Sequence, residues 1–245
     1  MSPQDVEAIE RATLAAVAPD HVLEIDGWLV GIDGGTIGRA RSAVPLRREM
    51  RFGGSTFDRM EAAYRARGLE PWFRIADGPE LAQVEAELTR RGYSPSQPTL
   101  VKTGGAAGLV RLNTAPAEVI GRPDEAWGAV FLGDGFDPVD GAYRVKALSR
   151  SPEAVYAQVR SEGRTVAVGV ASFGFGWASI HGMRTEKARR GEGLAGRVLS
   201  GLAQAALERG VERVFLQVEE ANAPARGLYR RAGMAPAWRY RYWRP

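Results

Sequence analysis

The chain contains no cysteine among its 245 residues. This absence excludes disulfide bonds, zinc–thiolate sites and a covalent acyl-cysteine intermediate. Histidine is also scarce, because only His21 and His181 occur, and this excludes a histidine-rich metal centre. No apolar run approaches the roughly 20 residues that a membrane-spanning helix needs. The first residues also lack the basic and apolar segments of a signal peptide. We therefore expect a cytoplasmic protein without a metal site or a membrane partner.

Lysine is almost as rare as histidine, so nearly all of the positively charged side chains are arginines. Lysine occurs at three positions, so 33 − 3 = 30 of the basic residues are arginine, and the net charge is +4. A genome rich in G and C gives this bias without any function, whereas arginine is also the residue best suited to binding phosphates. Both explanations stay open, and the charge alone does not indicate a nucleic-acid partner.

The length of the chain allows two units of ordinary domain size. The stretch Gly104–Gly108 lies between two strand-like segments and is the best candidate boundary, which predicts lobes at residues 1–103 and 109–245. The two halves contain similar segments, since Leu88–Tyr93 and Leu228–Met234 both place arginines and a glycine before a predicted final strand. Such a repeat predicts an internal duplication, although chance similarity of helix ends is the alternative.

A glycine-containing turn in the second half carries the strongest chemical signal. Arg189–Ala195 joins a predicted strand, residues 178–185, to a predicted helix, residues 194–209. Glycines at 191 and 193 let the backbone approach a bulky anion closely. The unpaired N–H groups and the dipole of the helix N-terminus favour a phosphate there. The neighbouring arginines would neutralise further charge, so the turn predicts a pyrophosphate site. A Rossmann fingerprint and a P-loop are both excluded by the spacing.

A second block and the C-terminal segment complete the pattern. Asn222–Tyr229 and Gly233–Met234 follow the glycine turn after about thirty residues. Residues 238–244 then alternate aromatic and arginine side chains. This alternation fits either a final strand with one buried face or a stacking surface for single-stranded nucleic acid, and the strand is the preferred interpretation. Residues 133–141, rich in Gly, Asp and Pro, are predicted to form a loop, and residues 123–132 a helix.

The two blocks resemble the signatures of the GCN5-related N-acetyltransferase (GNAT) superfamily. Arg190–Ala195 is similar to Arg/Gln-x-x-Gly-x-Gly/Ala, and residues 222–234 are similar to Asn-x-x-Ala-x-x-Leu-Tyr…Gly-Phe. The match covers roughly residues 154–245, and the chain layout resembles tandem GNAT proteins with a degenerate first half. The resemblance implies an α+β fold of three layers, a mixed twisted sheet flanked by helices and duplicated in two lobes.

The resemblance also implies a site for acetyl-CoA between two parallel strands. Backbone groups of the first of these strands would pair with the pantetheine arm, the glycine turn would hold the pyrophosphate, and the second block would contact the rest of the cofactor. The residues implied for these roles are Met183, Arg184, Thr185, Arg189, Arg190, Gly191, Glu192, Gly193, Leu194, Ala195, Gly196, Asn222, Ala225 and Arg226.

Amine acetylation further needs a proton donor, a proton acceptor and an oxyanion site. The resemblance places Tyr229 near the sulfur, and a phenol can protonate a thiolate leaving group. A strand N–H near Met183 could bind the oxyanion. Two positions where relatives carry a glutamate are Ser179 and Gln217 here. His181 and Glu219 lie two residues further on the same strand faces, so either could act as the base through water. For each of these three side chains a purely structural role is the alternative.

These inferences predict direct transfer of an acetyl group from acetyl-CoA to a primary amine in a ternary complex. The main alternative is a non-catalytic acyl-CoA sensor or interaction module, and a lesser one is an RNA-binding protein. The acceptor could be a small molecule or a peptide, and nucleic acid is an unexpected partner. A homodimer is one option, because the closing strand could pair with its copy.

Overall fold

The computed structural model describes residues 1–49 and 53–245, and these form helices and strands in alternation. The helices are α1 (Pro3–Val17), α2 (Gly54–Arg65), α3 (Ala82–Arg90), α4 (Ala106–Val110), α5 (Glu125–Ala129), α6 (Pro138–Leu148), α7 (Leu194–Glu208) and α8 (Ala223–Arg231). The strands are β1 (His21–Ile25), β2 (Trp28–Ile32), β3 (Ala43–Pro45), β4 (Phe73–Ala76), β5 (Ser94–Gly105), β6 (Glu118–Ile120), β7 (Ala154–Ser161), β8 (Arg164–Gly174), β9 (Trp177–Thr185), β10 (Arg213–Glu219) and β11 (Ala235–Arg244).

The described strands form one mixed sheet in the order β1-β2-β3-β4-β11-β5-β10-β9-β8-β7-β6. The pairs β3/β4 and β9/β10 are parallel, and the other neighbours are antiparallel. Four strands of the first half lie on one side of the β11/β5 pair and five strands of the second half on the other. Strand β11 of the second half pairs with β4 of the first, and β5 of the first half pairs with β10 of the second. The predicted mixed sheet is therefore confirmed, and the duplication stays a prediction that these exchanged strands favour.

Helices cover both faces of the sheet beside β10. Val214, Leu216 and Val218 belong to the core under α7, whereas Phe215 packs with Ile9 of α1 on the opposite face. The α7 helix forms as predicted because Leu194, Val198, Leu202 and Ala206 recur every four residues, and all four are buried. Burial of a large aliphatic side chain contributes about 1.5–3 kcal/mol each, so this stripe holds α7 against the strands.

The predicted loop at residues 133–141 is wrong at its end, because α6 begins at Pro138. Asp137 caps this helix, since its carboxylate accepts the N–H groups of Val139 and Asp140 at 2.8 and 3.0 Å. Gly141 concealed the helix in the sequence. A Cβ at this position would lie 2.3 Å from the carbonyl oxygen of Phe131, so glycine is required by close packing and not by a turn. The helix predicted at 123–132 is shorter, as α5 spans Glu125–Ala129.

The small-residue stretch at 104–108 belongs to regular structure. Gly104 and Gly105 end β5, and Ala106 begins α4. The division into lobes at residues 1–103 and 109–245 remains a prediction.

The C-terminal alternation forms strand β11, as preferred from the sequence. Tyr240 and Tyr242 are buried on one face, while Arg239 and Arg241 pair with Asp77. Both edges of β11 are hydrogen-bonded, to β4 and to β5. Residues 240–243 of this strand therefore have no free edge for a copy of the chain, and the homodimer itself stays a prediction. Within residues 1–49 and 53–245, every helix is too short or too polar to cross a bilayer.

Candidate active site

The parallel strands β9 and β10 separate and open a cleft at their carboxyl ends. They pair only at Ala178–Val214, Ser179–Phe215 and Ile180–Leu216. Beyond this point β9 continues to Thr185 and β10 to Glu219 without mutual pairing. The stretch predicted to contact the pantetheine arm, Met183–Thr185, therefore lines a gap in the sheet. Crevices at the carboxyl ends of parallel strands are where such sheets bind ligands.

A β-bulge shapes β9 next to this gap. Gly182 and Met183 oppose the single residue Gly169, because Val168 pairs with Arg184 and Val170 with His181. Gly182 has φ +60°, a conformation that favours glycine. A Cβ on Gly169 would lie 2.6 Å from the Sδ of Met183 and 2.6 Å from a methyl of Val198, so this glycine makes room for both side chains beside the bulge. Bulges redirect backbone groups near active sites, which supports the expectation of an oxyanion-binding N–H near Met183.

The glycine turn is open where the sequence predicts a pyrophosphate. Gly191 and Gly193 have φ values of +90° and +75°, and a Cβ on either would meet no atom within 4 Å. In the described part of the chain, the N–H groups of residues 191–195 donate to no other group. The N–H of Gly196, by contrast, donates to the carbonyl of Gly193 at 2.9 Å. Five consecutive amides are thus available at the N-terminus of α7, and that of Gly196 is engaged.

Cations surround the turn, and one aromatic ring lies among them. The guanidinium of Arg184 lies 4.2 Å from the ring centre of Phe136, and that of Arg190 lies 6.0 Å from it. Arg189 pairs with Glu192 at 2.7 Å, so these two predicted binding residues partly neutralise each other. Sequence reasoning missed Phe136, because it lies in the segment between α5 and α6 and no spacing links it to the turn.

The second predicted block starts helix α8. The side chain of Asn222 accepts the N–H of Ala225 at 3.2 Å and caps the helix. Arg226 donates from Nη1 to the carbonyl of Glu220 at 2.7 Å, which fixes the turn before the helix. These three predicted residues lie together at the N-terminus of α8, directly after the carboxyl end of β10.

Tyr229 lies further along α8 and is buried in the core under α7. Burial raises the pKa of its phenol to about 12, so the hydroxyl keeps its proton at neutral pH. In the described residues the hydroxyl makes no hydrogen bond. A protonated phenol of this kind can donate a proton to a leaving group.

His181 is buried on the α1 side of β9. Burial, together with the smaller effect of the Arg39 charge, lowers the pKa of its imidazole to about 3. Nδ1 lies 3.1 Å from the carbonyl oxygen of Ser179, while Nε2 is buried without a hydrogen-bond partner among the described residues. The ring is therefore neutral, and its nitrogen at Nε2 is a weak proton acceptor.

Glu219 has a different environment, at the exposed end of β10. Its Oε1 accepts a hydrogen bond of 2.7 Å from Nε2 of Gln97, and the Oε1 of Gln97 accepts one of 2.8 Å from Arg244. Gln97 has φ +52°, rare for a residue other than glycine, and its carbonyl accepts the hydroxyl of Thr99 at 3.0 Å. The first half of the chain thus orients the carboxylate of Glu219. The sequence gives no signal for this contact, because 122 positions separate the partners.

A cavity of about 320 Å³ lies beside Glu219 and is lined by both halves of the chain. Its lining residues are Thr36, Ile37, Gly38, Arg39, Trp72, Gln97, Thr99, Arg144, Gln217, Glu219, Tyr240, Tyr242 and Arg244. We call it the interlobe pocket. It brings Gln217 and Glu219 together, while His181 is not among its lining residues. No group of three or more His, Asp or Glu side chains within residues 1–49 and 53–245 is arranged to hold a metal ion.

Comparisons with known proteins agree with this geometry. Residues 4–243 match the family described as "Probable histone acetyltransferase Rv0428c C-terminal". A search of curated protein sequences found no match.

Solved structures share the fold over the full length of the chain. A GCN5-related N-acetyltransferase from Kribbella flavida is 17% identical, covers 98% of this chain and 95% of its own, and has a TM-score of 0.71. A tandem GNAT protein from the clavulanic acid biosynthesis pathway is 12% identical, with coverage of 98% and 94% and a TM-score of 0.63. A GCN5-related N-acetyltransferase from Sphaerobacter thermophilus is 17% identical, with coverage of 100% and 93% and a TM-score of 0.58.

The family match and the fold together support acetyltransferase activity in general. The chain therefore belongs to the family of the Rv0428c C-terminal region, and its fold is that of the tandem GCN5-related N-acetyltransferases.

Proposed function

We propose that the protein is an acetyl-CoA-dependent N-acetyltransferase that acts on a primary amine by direct transfer. The open turn at Gly191–Gly193 carries this proposal, because it presents five free amides at the start of a 15-residue helix. Unpaired amides and the helix dipole favour a pyrophosphate at this position. Acetyl-CoA, when bound, supplies an activated thioester to the gap between β9 and β10.

The residues around the gap have complementary roles in this proposal. Backbone groups of Met183–Thr185 orient the cofactor arm, since β9 has no strand partner on that side. The N–H at the bulge of Met183 binds the developing negative charge on the carbonyl oxygen. Tyr229 holds a proton for the departing sulfur, because burial keeps its phenol protonated.

Glu219 is the favoured proton acceptor, and His181 is the less suitable candidate. Glu219 lines the interlobe pocket, where an amine could approach from solvent, and Gln97 fixes its orientation. His181 is buried and does not line that pocket, so an amine in the pocket would not reach its ring, and burial lowers its pKa to about 3. We therefore expect His181 to position Ser179 and β9 and Glu219 to accept the proton through water.

The experiment is thiol release from acetyl-CoA with a panel of primary amines. We expect turnover with at least one amine, and a loss of about 10²-fold in kcat for Glu219→Gln, the lower end for general-base catalysis. Glu208→Gln is the matched control, because Glu208 is an exposed carboxylate at the end of α7. Binding of CoA without turnover on any amine would favour the sensor alternative instead.

A further inference from the structure

The interlobe pocket carries more positive than negative charge. Its lining includes three guanidinium groups, of Arg39, Arg144 and Arg244, and one carboxylate, of Glu219. The charge of Arg144 is met by Asp140 at 2.7 Å. That of Arg244 stacks over the ring of Trp72 at 3.9 Å. The single carboxylate of Glu219 therefore does not neutralise the positive charge of the lining arginines.

Arg39 is the cation that these contacts leave free. Within residues 1–49 and 53–245 it makes no hydrogen bond and no ion pair, although it is only partly exposed. The other two arginines of the pocket are anchored, by Asp140 and by Gln97. A half-buried guanidinium without an anion is unusual, because arginine forms bidentate pairs wherever a carboxylate or phosphate is available.

The size of the pocket limits what can be recognised. A volume of about 320 Å³ is at the small end of ligand sites, so the pocket suits a small molecule. The free cation of Arg39 and the carboxylate of Glu219 both line this one space. Polar groups of Gln97, Thr99 and Gln217 line the space between the halves.

We propose that the acceptor is a small amino carboxylate whose carboxylate pairs with Arg39 while its amine faces Glu219. This inference rests on the proposed acetyltransferase function and specifies its substrate class. It makes Arg39, from the first half of the chain, a specificity-determining residue for chemistry in the second half. A lysine-rich peptide fits poorly, because the pocket would repel its neighbouring positive charges.

The test compares several amino acids with their amides, which differ only in the carboxylate charge. Acetylation of each pair is followed by thiol release, and binding is measured separately by ligand-observed NMR in the presence of CoA. The α-amine of an amide is less basic and more often unprotonated, so chemistry alone favours the amide. We expect the opposite order, with kcat/KM about 10- to 100-fold higher for the preferred amino acid, the range for one charged hydrogen-bonded contact.

Substitution of Arg39 distinguishes the loss of carboxylate recognition from a general loss of activity. Arg39→Gln should reduce the amino acid to amide ratio by about tenfold or more, mainly through KM, and Arg39→Lys should recover part of it. Arg122→Gln is the control, since Arg122 is an exposed arginine between β6 and α5 and lies outside the pocket. This control should keep the wild-type ratio.

The outcomes distinguish the two proposals. Equal use of acid and amide, preference for a lysine-rich histone-tail peptide, or an unchanged ratio in Arg39→Gln would overturn the acceptor class and leave the acetyltransferase in place. Carboxylate-dependent binding that disappears in Arg39→Gln, without thiol release on any amine, would support the pocket assignment and overturn the acetyltransferase. Neither binding nor turnover with any amino acid would overturn the acceptor class.

Discussion

Replacement of Tyr229 by phenylalanine removes one hydroxyl group from the proposed proton donor. The hydroxyl makes no hydrogen bond in the described residues, so its loss leaves no buried partner unsatisfied. We expect stability to change by less than about 1 kcal/mol, within the range of mild substitutions. A loss of activity can then be attributed to chemistry and not to unfolding.

The size of the activity loss follows from the pKa of the phenol. General acids contribute about 10²–10⁴-fold to rate. Burial raises the pKa of Tyr229 from 10 to about 12, which makes it a weaker acid by about 10²-fold. If about half of this loss of acid strength appears in the free energy of the transition state, the rate contribution of the phenol falls by about tenfold, toward the lower end of the range. We therefore predict a loss of about 10²-fold in kcat.

The assay is steady-state thiol release with the best acceptor at saturating acetyl-CoA. The KM for acetyl-CoA should change by less than about threefold, because the hydroxyl acts in the transition state and not in binding. Tyr93→Phe is the control, since it removes a buried phenol that contacts Glu61 in the first half of the chain. A Tyr229→Phe enzyme with kcat within twofold of wild type would refute the role of Tyr229 as proton donor.

Three further predictions concern stability. Glu10→Ala should destabilise the fold by about 3–5 kcal/mol in urea unfolding, because it leaves the fully buried guanidinium of Arg74, now 2.5 Å from the carboxylate, without its counter-ion. Burial lowers the pKa of His181 from 6.5 in the unfolded chain to about 3 in the folded chain. Between these two pH values the unfolded chain binds more protons, so the stability of the wild type should fall as the pH drops below 6.5. The urea midpoint of His181→Gln should fall less steeply with pH than that of the wild type. Gly141→Val should lower the thermal midpoint sharply, because its side chain would collide with the carbonyl of Phe131, and an unchanged midpoint would contradict the packing of α6.

The elements with strong periodicity could be predicted from the sequence. The α7 helix and strand β11 lie where their patterns indicated, because each has one face in the core. Helix α6 was missed, since Gly141 serves a close approach to Phe131 that only the folded chain contains. The short strands β1, β3 and β6 were also missed, because three to five residues carry little pattern.

The candidate site divides in the same way. The glycine turn, Asn222 and Tyr229 could be found because their motifs are local in sequence. The interlobe pocket could not, because it depends on the exchange of β5 and β11 between the halves. Gln97 meets Glu219 because β5 pairs with β10, and Arg39 lines the same pocket, but no spacing in the sequence indicates either. Burial is also what favours Glu219 over His181 in the proposed mechanism, and burial is a property of the fold.

The most direct test of the central claim is calorimetric titration of CoA into wild type, Gly193→Ala and Gly210→Ala. Both glycines have positive φ, +75° and +70°, and open space around a Cβ, so both substitutions cost about 1–2 kcal/mol of backbone strain. Only Gly193 belongs to the turn with free amides, whereas Gly210 follows the other end of α7. We predict that Gly193→Ala weakens CoA binding by about tenfold or more and that Gly210→Ala leaves it unchanged. No heat with the wild-type protein at millimolar CoA, or equal affinity in all three proteins, would contradict pyrophosphate binding at this turn.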